Sequence, residues 1–512
     1  MSQATQRQSG LRTVEHAGET VAESARRLAP AAGRAAVDVI RHPDTVVRGA
    51  RRLQSAAPVI REAIRPILTG RVDDWRSEWA YSIGLQAFAY GFPYIRNAGL
   101  RHQWVTDDRD PEVVPYAAVN HFWHARRLLD ANFRDGGCPN NDTLYSLAWL
   151  DLRKEPVVLS HPDMGRRYFS FELTSFASDN FAYVGQRSTG PDAGDFALIG
   201  PGWKGELPEG VRAVTPSPTP WALALGRTLV NGVADLPAVG ELQARFRLPP
   251  LSLWTKTKAV APEHHDVYAP GDPADDPLAV WKTLNAMLGE NPPPAHHGLL
   301  LEQFARVGVG AGLDVEAQPE VVRHGLVRAA AIGLPLLRRQ FLSGDWAEVV
   351  NGWRYPPPEE GRFGDDYLRR AADQSLAGIV ANDPAEAVYL VNFSDSDGRH
   401  LSGRGRYELH FDKAELPPVD AFWSLTAYTG DMNLIPNPVD RYSVGDRTPG
   451  LVHDPAGGLT IYMQPAPPGS AQEPNWLPTS PDHDWFVILR MYRPHTRVVE
   501  AKWRCPGVVR VG

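Results

Sequence analysis

At 512 residues and 56.4 kDa the chain exceeds one small module, and at about 150 residues per domain it has room for two to four. Hydrophobic residues make up 43% and charged ones 22%, an ordinary globular usage that excludes wholesale disorder and a coiled-coil rod. The net charge of −7 argues against nucleic acid as a partner, because phosphate binding needs clustered positive charge.

The first 70 residues hold 11 Arg, no Lys and 6 acidic residues, net +5, so the remainder carries −12. This asymmetry marks an appended segment. Val46, Ala50, Leu53 and Ala57 share one helical face between Pro43 and Pro58, with Arg48, Arg51 and Arg52 elsewhere, and Ile60, Ile64 and Ile67 continue the period. An amphipathic helical extension over 1–73 is expected. It would serve as an arm for a membrane surface or a protein partner, or pack on its own protein.

From Asp74 to Phe92 apolar residues recur at helical spacing, and Gly91 and Pro93 predict a stop. A second helix is expected over His121 to Asn132. The period then changes to short aromatic and β-branched runs at Leu144–Leu152, Arg167–Thr174, Phe181–Arg187 and Trp221–Leu229, separated by Pro, Gly, Asn and Asp. Helical spacing returns at Val280–Leu288, Leu299–Arg306, Glu320–Phe341 and Asp366–Leu376. The last third reverts to strands at Ala387–Phe393, Arg406–Phe411, Ala421–Tyr428, Leu459–Gln464 and Trp485–Tyr492. The expected fold is mainly β with α: two tandem β-sandwich domains at 74–235 and 383–512, joined by a helical connector at 236–382. The apolar stretch Ala329 to Leu337 lies between Arg328 and Arg338 and is too short to span a membrane. With no N-terminal apolar core of a signal peptide, a cytoplasmic location is expected, with peripheral membrane association open to the arm. Only Cys138 and Cys505 occur, which excludes a disulfide framework and a thiolate zinc site while leaving a single bridge open.

Specific segments then stand out. PNNDTLYSLAWLDL begins at Pro139, followed by EPVVLSHPD, RRYFSFELTSFASDNFAYVGQRSTG, GPGWKG and PSPTPWALALGRTLV; the last third carries AFWSLTAYTGDMNLIPNPVDRYSVGDRTPGL, LTIYMQ, NWLP and RMYRP. In order and wording these closely resemble bacterial and fungal proteins that pair domain of unknown function 1254 with domain of unknown function 1214. The resemblance covers about Trp75 to Val511. It implies a tandem of jelly-roll-like sandwiches joined by helices and supplies no established chemistry.

Three polar constellations are candidates for function. Asn140, Asn141, Asp142, Thr143 and Tyr145 crowd a turn entering a strand, where Thr143 and Tyr145 share a face. They suit sugar hydroxyls, a hard cation, or acid–base work by Asp142 with Tyr145 as proton donor; alternatively the amides stabilise a tight turn. In the second group Tyr168 and Glu172 share a strand face, with Asp179, Asn180 and Tyr183 at the following turn and strand. If Asp142 and Asp179 share a pocket, their repulsion raises one pKa toward that of a general acid. The third group comprises Asn437, Arg441, Tyr442, Asp446 and Arg447, with Asn475, Trp476, Arg490 and Tyr492. Its arginines either clamp a carboxylate or sugar or staple loops through backbone carbonyls.

Asp142, Tyr145, Tyr168 and Asp179 are thus the candidate catalytic residues. Asn140, Asn141, Thr143, Asn180, Tyr183, Arg441 and Trp476 are the candidate ligand contacts. No cofactor and no metal follow from these patterns. His264–His265 and His296–His297 sit in Pro- and Asp-rich linkers, and neighbours on a strand face opposite ways. His121 and His124 would lie one turn apart on the expected helix, without an HExxH pattern. Asp395, Asp397 and Gly398 look like the start of a calcium loop but read better as a hairpin turn. Gly308, Gly310 and Gly312 lack the strand of a dinucleotide fingerprint, and no GxSxG elbow is present. The leading expectation is a binder of a small polar organic or carbohydrate-like ligand in the N-terminal domain. A hydrolase or lyase using a carboxylate and a tyrosine is the first alternative, and partner docking by the basic arm the second. A homo-oligomer is compatible with all three.

Overall fold

The computed structural model describes residues 74–107, 110, 114–134, 137–254, 266–376 and 378–512. The Arg-rich arm and His264–His265 lie outside the described residues. Among the described residues no helix is long and apolar enough to cross a membrane. They divide into two compact units. One comprises 74–88, Pro270–Ala286 and Leu299–Gly333, the other Ala89–Ala269, Met287–Gly298 and Leu334–Gly512.

In chain order, helix α1 (Trp75–Thr106) leads to β1 (Trp123–His124), β2 (Thr143–Asp151), β3 (Val157–His161), β4 (Phe169–Ser175), β5 (Asn180–Gly185), β6 (Gly194–Leu198), β7 (Val211–Ala213) and β8 (Trp221–Leu229). Helices α2 (Leu236–Gln243), α3 (Ala279–Glu290), α4 (Gly298–Ala305) and α5 (Glu320–Ser343) follow. After β9 (Glu348–Val350), β10 (Trp353–Tyr355) and α6 (Tyr367–Leu376) come β11 (Ala387–Asn392), β12 (Tyr407–Phe411), β13 (Val419–Thr429), β14 (Ser443–Gly445), β15 (Leu459–Gln464), β16 (Trp476–Pro478) and β17 (Trp485–Pro494). The short helix α7 (Thr496–Val499) and β18 (Val509–Arg510) close the chain. The protein is mainly β with helices between its two strand-rich parts, as the patterning predicts.

The smaller unit is helical. α1 and α5 approach so closely at Gly325 that a Cβ there would sit 2.3 Å from Ser77 O, which only a glycine permits. Arg328 and Glu78 pair at 2.6 Å, and the Trp281 indole donates to Leu326 O at 3.1 Å.

The larger unit contains both sandwiches. The first stacks a five-stranded sheet, β1-β2-β8-β4-β5, on a three-stranded one, β3-β6-β7. Strand alternation decides which residues fill it. Ala148 and Leu150 of β2, Phe169, Phe171 and Leu173 of β4, and Ala222 and Ala224 of β8 meet Val157 and Leu159 of β3 and Phe196 and Leu198 of β6. The second stacks a six-stranded sheet, β14-β13-β17-β11-β10-β9, on a four-stranded one, β16-β15-β12-β18. Trp423, Leu425, Val487, Leu489 and Met491 there pack on Tyr407, Leu409, Phe411, Ile461 and Met463.

Gly226 lies at the centre of the first sandwich, opposite Ser146 on β2 and Phe171 on β4. A Cβ there would fall 2.7 Å from the Phe171 ring and 3.1 Å from Ser146 Cβ. Gly226→Ala should therefore lower stability by about 1–3 kcal/mol through overpacking, read as a shift in the urea midpoint at unchanged slope.

Two expected helices differ. α1 does not stop at Pro93 but carries it as an internal residue to Thr106. A proline removes one backbone hydrogen bond, and buried Tyr90, Phe92, Tyr94 and Ala98 continue the packed face across it. The segment from His121 to Asn132 is not a helix: Trp123 and His124 pair with Leu147 and Ser146 at the edge of β2. Phe, Trp and His are weak helix formers, and strand pairing overrides the local period.

Candidate functional site

The outer face of the five-stranded sheet carries the residues that alternate with its core: Tyr145 on β2, Glu172 on β4, Tyr183 on β5 and Arg227 on β8, with Tyr168 just ahead of β4. It meets the outer face of the six-stranded sheet, which presents Tyr389, Phe422, Ser424, Arg490 and Tyr492. Tyr168 makes edge contacts with Phe422 and Tyr492 at 5.5 and 5.3 Å. Tyr145, Tyr168 and Tyr183 thus lie in a polar seam between the sandwiches, inside the larger unit.

The loop Cys138–Asp142 is pinned across this seam at Cys138, Pro139, Asn140 and Asp142. The Arg490 Nη2 group donates to Cys138 O at 2.7 Å and the Tyr428 hydroxyl to Pro139 O at 2.8 Å. The Asn140 amide donates to Tyr492 OH at 2.6 Å, while its oxygen accepts the Asp142 N–H at 2.5 Å. Asp142 accepts from Ser424 Oγ at 2.6 Å and pairs with Arg447 at 2.5 Å. The turn-stabilising role of Asn140 is present, and Arg447 acts as a staple, pairing with the chain's own Asp142 and donating to Val230 O at 2.8 Å.

The second candidate group forms an adjoining network. Glu172 and Arg227 pair at 2.7 Å with side chains 0% and 7% exposed. Asn180 Nδ2 lies 3.0 Å from Glu172 and Tyr183 OH, 2.9 Å from Asp383 and 2.7 Å from Ala381 O, so two hydrogens serve four oxygens. The Tyr168 hydroxyl donates to Glu386 at 2.8 Å, and Arg187 closes that pair at 2.6 Å. Burial raises the pKa of the Tyr168 hydroxyl, and the Glu386 carboxylate adds to it. Burial likewise raises that of Glu172, against the opposing pull of Arg227.

Asp142 and Asp179 do not share a pocket. In the register of β2, β8 and β4, Thr143 stands opposite Leu229 and Phe169 opposite Thr228 at one end, and Asp151 opposite Trp221 and Ser175 opposite Ala222 at the other. Asp142 precedes the first end and Asp179 follows the second, a strand length of roughly 25 Å apart. Asp179 instead accepts the N–H groups of Phe363 and Gly364 at 2.7 and 3.2 Å. Beside its turn is a shallow recess whose lining includes Ser178, Phe363, Arg370 and Gln374.

Of the other candidates, Thr143 is buried and its hydroxyl has no partner, as is true of the Asn141 side-chain oxygen. Arg441 donates to Glu473 O and Trp476 O at 2.5 and 3.1 Å, and the Trp476 indole donates to Gln464 O at 2.8 Å. Both are staples within the second sandwich. Cys138 and Cys505 are free thiols, and burial pushes Cys138 up to about 12. The Asp395 loop is a tight turn in which Asp395 accepts from the N–H groups of Asp397 and Arg399. His121 and His124 bond apart, to Val119 O and Ser146 Oγ.

Sequence reasoning missed Asn382, Asp383, Glu386 and Tyr389, which bring the second half of the chain into the network. The signal was the density of polar groups in NDPAEAVYL ahead of an apolar strand. It also missed Arg187 and Ser424, whose roles rest on contacts far away in the chain.

Around Arg490 the seam is not fully paired. Its guanidinium lies over the rings of Tyr428 and Tyr389 at 5.4 and 5.5 Å. Arg227 lies 5.9 Å from the ring centre of Tyr145. Tyr145 and Tyr389 are half-buried, in contrast to Tyr168, Tyr428 and Tyr492.

Comparison with known proteins matches the model of "Protein of unknown function (DUF1254)" to residues 119–250 and that of "Protein of unknown function (DUF1214)" to 386–496. No curated protein matches the chain. The crystal structure of the VPA0106 protein from Vibrio parahaemolyticus is similar over 85% of this chain and 100% of its own, with a TM-score of 0.64 at 23% identity. A putative uncharacterized protein from Burkholderia cenocepacia aligns over 87% and 98%, at 14% identity and a TM-score of 0.41. The first likeness bears on the fold alone. The two family regions fall on the two sandwiches, so the chain carries a DUF1254 region followed by a DUF1214 region.

Proposed function

We propose that the protein binds a small organic anion, with a carboxylate as the class best suited, in the seam where Tyr145 and Asn141 of the first sandwich meet Tyr389 and Arg490 of the second. The observation that carries this reading is the charge of Arg490. Arg187, Arg227, Arg362 and Arg447 each have a carboxylate at 2.5–2.7 Å. Among the described residues no carboxylate pairs with Arg490, which is buried and whose Nη1 has no hydrogen-bond partner. A buried, unpaired cation costs several kcal/mol, roughly the cost a bound carboxylate would offset.

A guanidinium with one unpartnered nitrogen, Nη1, suits a carboxylate oxygen. Tyr145 and Tyr389, both half-buried residues, carry hydroxyls that suit the remainder of a polar guest, that of Tyr389 while it accepts from the Asn382 amide at 2.7 Å, as does the unpartnered oxygen of Asn141. A neutral carbohydrate would use the same hydroxyls but leave the cation unbalanced. Acid–base catalysis by Asp142 has weaker support, since both its oxygens are engaged. The two free thiols fit a reducing compartment, the cytoplasm.

Thermal denaturation with acetate, succinate or benzoate, each against its neutral amide, tests the reading. At least one carboxylate should raise the midpoint while its amide does not, by up to about 2.7 kcal/mol at a hundredfold excess over Kd. Arg490→Lys should weaken that response at least tenfold, and Tyr145→Phe, which removes one hydroxyl, should weaken it without altering the unliganded midpoint. Equal responses to acid and amide, or unchanged affinity in both variants, would overturn it.

A further inference from the structure

We propose that His296, His297 and Asp365 form a binding site for a divalent transition-metal ion, with Zn2+ fitting best. This site is separate from the seam and does not depend on the reading given for it. The histidines do not lie on a strand. They end a short 3-10 turn, Ala295–His297, that leads into α4. That geometry turns both rings toward one point, with ring centres 4.3 Å apart and planes at 70°. Asp365, two residues before α6, supplies the third group. Its Oδ1 lies 2.9 Å from His296 Nε2 and 3.0 Å from His297 Nε2. The three donor atoms all lie within 4.8 Å of one another.

Two imidazole nitrogens and one carboxylate oxygen are a borderline-soft donor set suited to Zn2+, and three protein ligands leave a fourth tetrahedral position for water or another ligand. A tetrahedral Zn2+ at about 2.0–2.1 Å from each ligand holds them roughly 3.3 Å apart. The two carboxylate–imidazole spacings need only a small opening, and the two imidazole nitrogens already stand within 4.8 Å of each other. His296 and Asp365 are exposed, with side chains 63% and 75% accessible, so an ion can reach them without rearrangement of the core.

The surroundings of His297 add an independent argument. Its Nδ1 faces the hydroxyl of buried Tyr90 at 2.9 Å, and Tyr90 is itself packed edge-on against Tyr367 at 5.6 Å. Metal-bound histidines characteristically have the second ring nitrogen held by a polar group that fixes ring orientation and tautomer. A tyrosine hydroxyl can do so in both states. Without metal, His297 Nε2–H donates to Asp365 and Tyr90 donates to Nδ1. With metal on Nε2, the proton sits on Nδ1 and Tyr90 accepts it.

The test uses the full chain without a polyhistidine tag, stripped with chelator and titrated with ZnCl2 by calorimetry. CoCl2 serves as a spectroscopic probe of coordination. One equivalent of Zn2+ should bind, and Co2+ should give the intense visible bands of a four-coordinate site. His296→Ala and Asp365→Ala, both at exposed positions, should each weaken binding at least tenfold. A His264→Ala/His265→Ala variant should bind as the parent does. Absence of stoichiometric binding, or loss of binding in the His264/His265 variant with retention in the other two, would overturn the proposal.

Discussion

Replacing Glu172 by alanine is expected to lower the unfolding free energy by about 3–5 kcal/mol, the cost of leaving a buried cation without its partner. Glu172 is fully buried, and its only cationic partner among the described residues, Arg227, is nearly so. After the substitution Arg227 keeps Asn382 Oδ1 at 3.3 Å and the nearby Tyr145, neither of which carries a countercharge. Asn180 also loses one of its four acceptors. The double variant Glu172→Met/Arg227→Leu should cost less than the single one, because a buried ion pair replaced as a unit by apolar groups is often near neutral. Urea unfolding of the two single variants and the double variant gives the coupling energy directly. A cost below about 1 kcal/mol for Glu172→Ala would mean that water reaches Arg227 and that the seam is wet.

What the chain reveals by inspection follows from how local each feature is. Strand positions were legible because the strand period is local: Trp221–Leu229 and Leu459–Gln464 coincide with the runs read from composition. The shared face of Thr143 and Tyr145 follows from the same alternation. Facing partners were not legible, because the outer residues of one sandwich meet those of another far along the chain. Asp142 and Arg447 are 305 positions apart, and nothing near either residue signals the other. The separation of Asp142 from Asp179 is a matter of register, which depends on where β8 starts against both neighbours. Pro93 misled because a proline's local cost is small beside the packing that continues past it. The His296–His297 doublet misled because a 3-10 turn, unlike a strand, lets adjacent side chains converge.

The same geometry recasts Asp142. A catalytic carboxylate would be expected to lose activity on substitution with little change in stability, whereas the contacts seen here predict the opposite emphasis. Asp142→Ala should cost about 3 kcal/mol, from an orphaned buried Ser424 hydroxyl and an Arg447 left with only the more distant Asp446 carboxylate, at 3.9 Å. Asp142→Asn keeps the shape and can still accept from Ser424, so it should cost clearly less, the difference reflecting the lost charge. Arg447 is only partly buried, which places the expected loss at the lower end of the range for buried pairs. The damage should be local first. Val230 N–H donates to Asp142 O, and Arg447 reaches back to Val230 O at 2.8 Å. Hydrogen exchange at Val230 should therefore accelerate in Asp142→Ala before exchange in the sandwich cores does. If Asp142→Ala unfolds within about 0.5 kcal/mol of the parent, as an ordinary surface substitution does, the loop Cys138–Asp142 is not what ties the sandwiches together, and its polar groups would be free to act on a ligand directly.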